Sequence, residues 1–130
     1  MNGIRLSELL WVAAGGALGA SLRWGAGLAA ELASLDWSWL WLVNGLGAGL
    51  MTLLAAWLDN PRRPVALFWQ VGVLGGFTTF SLFSVEVVRI GADSLSQALV
   101  YALCSVLVWL AAAECGRRLG QNLRQRRDNG

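Results

Sequence analysis

The apolar run from Val65 to Val88 is long enough to cross a bilayer, yet its centre does not read as an uninterrupted helix. Residues 72–84 are Gly-Val-Leu-Gly-Gly-Phe-Thr-Thr-Phe-Ser-Leu-Phe-Ser, so glycines and paired threonines stand where a spanning helix needs steady apolar cover. Backbone that leaves the helix at membrane depth is tolerated only where it lines a cavity or is buried in protein. A helix broken in mid-membrane is therefore expected, and such a break points to a binding site.

Hydrophobic residues make up 56% of the 130 and charged residues 14%, against roughly 25% charged in a soluble domain. Four apolar segments emerge, at about 9–30, 39–58, 65–88 and 95–113, each near the ~20 residues a spanning helix needs. The expected fold is an all-α membrane protein: one domain over 1–130 with four transmembrane helices, the third broken, and a basic tail over 114–130. Glu31–Asp36, the proline-bounded Asp59–Pro64 and the glycine-containing Arg89–Asp93 read as turns. The tail reads as a solvated, partly disordered arm. Arg5 ahead of the first apolar run gives only weak support for a cleaved signal peptide, because Arg23 falls inside the cleavage region.

All ten basic residues are arginine. Arg5, Arg62, Arg63, Arg117, Arg118, Arg124, Arg126 and Arg127 share one side of the four-span topology, and Arg23 and Arg89 lie on the other. That bias places both termini in the cytoplasm. The arginines flank apolar segments or sit in the tail, so no nucleic-acid surface is expected. Trp11, Trp24, Trp37, Trp39, Trp41, Trp57 and Trp69 fall near segment ends, as interfacial anchors do; Trp109 lies deeper. Histidine is absent, which removes the commonest general base and metal ligand. Cys104 and Cys115 stand roughly 16 Å apart along one helix, too far for a disulfide, and read as small packing residues.

Small residues recur four apart at Gly15/Gly19, Gly16/Ala20, Gly45/Gly49 and Gly72/Gly76, a spacing that lets helix backbones approach closely in lipid. Asn44, Arg23, Glu86, Tyr101 and Ser105 are polar residues within the spans, where such groups face a bundle interior or a wet cavity; Arg23 and Glu86 could equally snorkel from helix ends. Phe77, Phe80 and Phe83 repeat every three residues along one helical side. A phenylalanine stripe is ordinarily core, but this one alternates with Thr78, Thr79, Ser81 and Ser84. Aromatic rings carry a positive edge, hydroxyls and an amide can replace part of an ion's water shell, and unwound carbonyls can hold a small cation. The pattern suits an ion site better than an organic pocket.

Gly16-Ala-Leu-Gly-Ala-Ser-Leu-Arg-Trp24, Val43-Asn-Gly-Leu-Gly47 and Gly75-Gly-Phe-Thr-Thr-Phe-Ser-Leu-Phe-Ser84 together resemble the signature blocks of the Fluc/CrcB fluoride channels. The resemblance covers all four segments, and the third block is the specific one. It implies an antiparallel, dual-topology dimer in the cell inner membrane that passively exports cytoplasmic fluoride, with a structural sodium ion at the dimer centre. The sodium would be held by the carbonyls of Gly75 and Thr78. Phe80, Phe83, Asn44, Thr79, Ser81, Ser84, Tyr101 and Ser105 would line the fluoride path, and Arg23 and Glu86 would serve as vestibule or accessory polar residues. The partner implied is a second subunit: a second copy of this chain or an oppositely oriented relative. Leu82 and Trp109 depart from the family, which often has a hydroxyl residue and a small or polar one there.

Two other classes compete. A small proton-coupled multidrug exporter needs a titratable acid in mid-membrane, but Glu8 and Glu31 only flank the first segment. A structural membrane subunit without a transport role would copurify with a larger partner. No enzyme is expected, because paired interior carboxylates and a nucleophile beside a base are both missing.

Overall fold

A computed structural model describes residues 5–35, 38–58 and 63–130. The chain is helical almost throughout: α1 (Leu6–Leu32), α2 (Ser38–Trp57), α3 (Pro64–Ala66), a π-helical segment (Leu67–Leu74), α4 (Gly75–Phe77), α5 (Phe80–Asp93) and α6 (Leu95–Asp128). Asp36, Trp37, Arg62 and most of the turn expected over Asp59–Pro64 lie outside the described residues.

Among the described residues three helical stretches, Trp39–Trp57, Pro64–Asp93 and Leu95–Asp128, are long and apolar enough to cross a membrane. Helix α1 is 27 residues long and supplies the fourth helix of the expected four. Its apolar character is diluted by glycine, alanine, Glu8, Arg23 and Glu31. It begins where the Arg5 N–H donates to the Glu8 carboxylate at 3.0 Å, satisfying one of the orphan donors of a first turn. It ends with Ser34 at φ 53°, where the Leu35 N–H reaches back to the Ala30 carbonyl at 2.8 Å. That left-handed residue and long back-bond form the usual helix stop, here with serine in glycine's place.

Helix α1 docks on the π-helical segment and α4 backbone against backbone. A Cβ on Gly15 would strike Phe68 and Gly72, one on Gly19 the Val73 carbonyl, and one on Gly76 the Gly16 carbonyl. Gly15/Gly19, Gly16/Ala20 and Gly72/Gly76, three of the four small-residue pairs noted in the sequence, therefore form one seam, as close helix packing in lipid requires, whereas Gly45/Gly49 faces α6 instead. The π-helical geometry over Leu67–Leu74 lies along this seam; such segments are uncommon and recur at functional sites.

Helix α2 packs chiefly on α6. The Thr52 hydroxyl reaches the Ala113 carbonyl at 2.6 Å, and Cβ atoms on Gly116 and Gly120 would run into the Gly49 and Leu53 carbonyls. This corrects the sequence reading of the tail. Residues 114–128 are not a disordered arm but the continuation of a 34-residue helix, held by a second four-apart glycine pair. Glu114 bonds both Arg117 and Arg118 at 2.7 Å, and Arg127 reaches the Trp57 carbonyl at 3.5 Å. The expected turn over Arg89–Asp93 is likewise helical. The chain turns at Ser94 alone, which ends α5 and caps α6 by accepting from the Gln97 N–H. Glycine in a helix costs only about 1 kcal/mol relative to alanine, so Gly91 was a poor stop signal. Cys104 is half-buried and Cys115 exposed, so the packing role expected of both does not hold for Cys115 within one chain.

Candidate functional site

Within the stretch from Pro64 to Asp93 helical backbone geometry stops at two residues, although the Thr78 N–H still closes a helical bond to the Leu74 carbonyl at 3.0 Å. Thr78 (φ −73°, ψ 152°) and Thr79 (φ −145°, ψ 113°) are both extended between α4 and α5. A continuous helix would send the Thr79 N–H to the Gly75 carbonyl. Instead it goes to Asn44 Oδ1 at 2.8 Å, while Asn44 Nδ2 donates to the Thr79 carbonyl at 3.0 Å. One amide thus satisfies both backbone groups of a buried extended residue, as a break away from water demands. Asn44 and Thr79 are both buried, Asn44 being only 4% exposed. The Thr79 hydroxyl then caps α5 by accepting from the Leu82 N–H at 3.2 Å and pairs with Ser81 at 3.2 Å. From the other side Arg23 Nη1 donates to the Thr78 carbonyl at 3.3 Å.

A cavity of about 260 Å³ opens beside this break, lined by Asn44, Ala48, Met51, Thr78, Thr79, Phe80 and Trp109. The aromatic residues extend from it as a chain of ring contacts. Phe83 lies 5.4 Å from Phe80, 5.8 Å from Tyr101 and 4.9 Å from Trp109 by ring centroids. Trp41 stacks on Tyr101 at 6.3 Å. Phe83 is 6% exposed and Phe80 73%, so within one chain the site is closed on one flank and open on the other.

The residues singled out in the sequence fall into three groups. Asn44, Thr78, Thr79 and Phe80 share the cavity, with Phe83 in ring contact and Gly75, Ser81 and Arg23 adjoining the break. Tyr101 and Ser105 lie on the neighbouring face of α6. Ser105 is fully buried and donates to the Tyr101 carbonyl at 2.7 Å while accepting from Trp41 Nε1 at 2.8 Å. Trp41 is thus a cross-helix donor rather than a plain interfacial anchor. Ser84 turns back on the Phe80 carbonyl at 3.0 Å. Glu86 stands apart, 4.0 Å from Arg89, in a wider groove it shares with Leu35, Trp39 and Asp93. The phenylalanine stripe is not continuous either. Phe77 lies before the break, beside Gly47, while Phe80 and Phe83 follow it. The three-residue repeat presumed one unbroken helix, and the extended pair rotates the two halves out of register.

Sequence reading also missed the two-sided grip of Asn44 on Thr79 and the Arg23 bond to Thr78. An amide in one span facing a Thr-Thr break in another is a usable signal, but nothing in the chain order says which span faces which.

Fold and site together define a multi-pass membrane protein: a small helix bundle built around an interrupted helix whose freed backbone is held by polar side chains. The chain belongs to the CrcB-like protein, Camphor Resistance (CrcB) family, whose model matches residues 10–117. It is 44% identical over 119 residues to a protein of Hyphomonas neptunium named fluoride-specific ion channel FluC, covering 85% of this chain and 93% of that one. It is 39% identical over 125 residues to the fluoride-specific ion channel FluC of a Caulobacter species, covering 91% and 98% of the two chains. A relative of the same name from Thermus thermophilus is 41% identical over 124 residues, covering 88% and 96%.

Proposed function

We propose that this chain is a fluoride channel. It conducts fluoride passively out of the cell across the inner membrane and so lowers the toxicity of cytoplasmic fluoride. The names of its relatives support this reading. The observation that carries it is the clamped break, where Asn44 holds Thr79 extended beside a cavity that Phe80 also lines. Hydroxyls, an amide and aromatic ring edges can take the place of water around a small, strongly hydrated anion, yet none holds it so tightly that it cannot leave. Hydrogen fluoride crosses membranes as a neutral acid and dissociates in neutral cytoplasm, so the trapped anion needs only a downhill exit.

Two copies in opposite orientation complete the pathway in this proposal. The open flank at Phe80 and the exposed leucines and valines along α5 and α6 would be covered by the second subunit or by lipid. A structural sodium ion fits the same reading. The Thr79 N–H is diverted from Gly75, which frees a carbonyl, and neutral oxygens suit hard cations. Gly75 and Thr78 of each copy would hold the ion, whose charge would pin the two breaks together. Arg23 shares the Thr78 carbonyl and would add to the positive potential at the mouth.

Purified chain in liposomes should release fluoride, and not chloride, once a potassium ionophore clamps the counter-charge. Equal release of both anions would sink the selectivity. Phe80→Ile or Phe83→Ile should cut the flux while leaving the assembled dimer intact by gel filtration.

A further inference from the structure

Most polar groups around the break are committed to partners inside the chain. The single hydroxyl proton of Ser105 goes to the Tyr101 carbonyl, the Thr79 N–H goes to Asn44, and one Asn44 amide proton goes to the Thr79 carbonyl. Trp109 is different. Its indole Nε1 is buried and meets no acceptor among the described residues, although its ring lines the same cavity as Asn44, Thr79 and Phe80. Buried donors in folded proteins are almost always paired, and one left without a partner needs a reason.

The surroundings supply one. Helix α6 carries Tyr101, Ser105 and Trp109 at four-residue spacing, hence on one face. Phe83 meets the indole nearly edge-on, at 4.9 Å and 73°, and steadies the ring. The pyrrole edge lies toward α2 next to Asn44: a Cβ on Gly45 would sit 3.9 Å from Trp109 Cδ1, the carbon bonded to Nε1. The absence of a side chain at Gly45 leaves that edge uncrowded. Asn44 retains a second amide proton in the same neighbourhood. A buried donor that lacks a protein acceptor and borders this cavity can serve an acceptor that enters it, whether a water or an anion that has shed its own water.

We propose that Trp109 is an anion-binding residue: its indole N–H donates to fluoride in the cavity beside the break, alongside the free Asn44 amide proton. This rests on the channel reading above. A hydrogen bond to a charged partner is among the stronger ones a protein makes. Removing this donor should slow fluoride passage about tenfold, on the order expected for one charge-assisted bond.

The test uses the full chain in liposomes. Trp109→Phe keeps a large ring and removes the N–H, and Trp109→His restores a ring N–H with less bulk. Fluoride release should fall about tenfold in Trp109→Phe and recover in part in Trp109→His. Release from Trp109→Phe at the unmodified rate would overturn the proposal, and so would an equal fall in both variants, which would mean that ring volume alone matters. A second measurement does not depend on either variant folding. Among the eight tryptophans of the unmodified protein, one buried indole N–H resonance should move downfield with added fluoride and not with added nitrate. If no indole responds, the proposal fails. Unmodified chain that releases no fluoride at all overturns the channel reading and takes this proposal with it, an outcome distinct from active chain with an indifferent Trp109→Phe.

Discussion

The α1 seam and the α4–α5 break are neighbours on the same chain but hold together by opposite means. Along the seam, Gly15, Gly19, Gly72 and Gly76 bring backbones together by having nothing at Cβ. At the break, the backbone is freed from its helix and recaptured by side chains: Asn44 from α2, Arg23 from α1 and Thr79 itself. The seam tolerates no added atoms because its energy is packing, and lipid offers no hydrophobic drive to compensate. The break tolerates no lost polar atoms because each buried orphan is costly. The rigid seam fixes where α4 ends, and the polar clamp decides what shape follows.

Substitutions that add volume to the seam should have the largest effect. Gly19→Val would drive a side chain into the Val73 carbonyl and the Phe77 backbone, and should cost at least about 3 kcal/mol. Monodisperse protein should be largely lost in gel filtration; a normal profile would break the claim that this contact is backbone on backbone. Asn44→Ala comes next. It strips both bonds from buried Thr79 and should cost about 2–6 kcal/mol locally, at 1–3 kcal/mol for each of the two orphaned groups. Fluoride release should fall by roughly two orders of magnitude, because 1.4 kcal/mol corresponds to tenfold. The protein should still elute in gel filtration where the unmodified protein does, which separates the clamp from the seam.

Ser105→Ala should do less. It removes the Trp41 acceptor and the bond to Tyr101, at a cost of about 1 kcal/mol in thermal stability. Tryptophan emission should change as the Trp41 indole loses the Ser105 hydroxyl, while fluoride release stays within a few-fold. A hundredfold loss would move Ser105 from support into the pathway. The smallest effect is expected at Gly25, where a Cβ meets open space. Gly25→Ala should leave the melting temperature unchanged or raise it slightly, by about 0.4–1 kcal/mol of helix stabilisation. Destabilisation there would show that Gly25 belongs to a contact between copies.

Much of this protein could be read from residue order. The number of helices, the glycine pairs and the weakness of residues 72–84 all follow from local chemistry, because helix spacing and bilayer thickness act on consecutive residues. Helix ends were harder. Arg89–Asp93 and the tail after Glu114 read as irregular, but both continue as helix. Gly116 and Gly120 earn their place only through the α2 carbonyls they lie against.

By itself the sequence determined the class of molecule: a small multi-helix membrane chain whose third span is weakened somewhere within residues 72–84. Tertiary structure alone decided what occupies the break in that span. The bonds from Asn44 and Arg23 join residues 35 and 55 positions apart, and the cavity brings Trp109 of α6 to a break between α4 and α5. Such meetings depend on which helix packs beside which. That choice is made by glycine carbonyl contacts spread over several helices, and no local pattern encodes it.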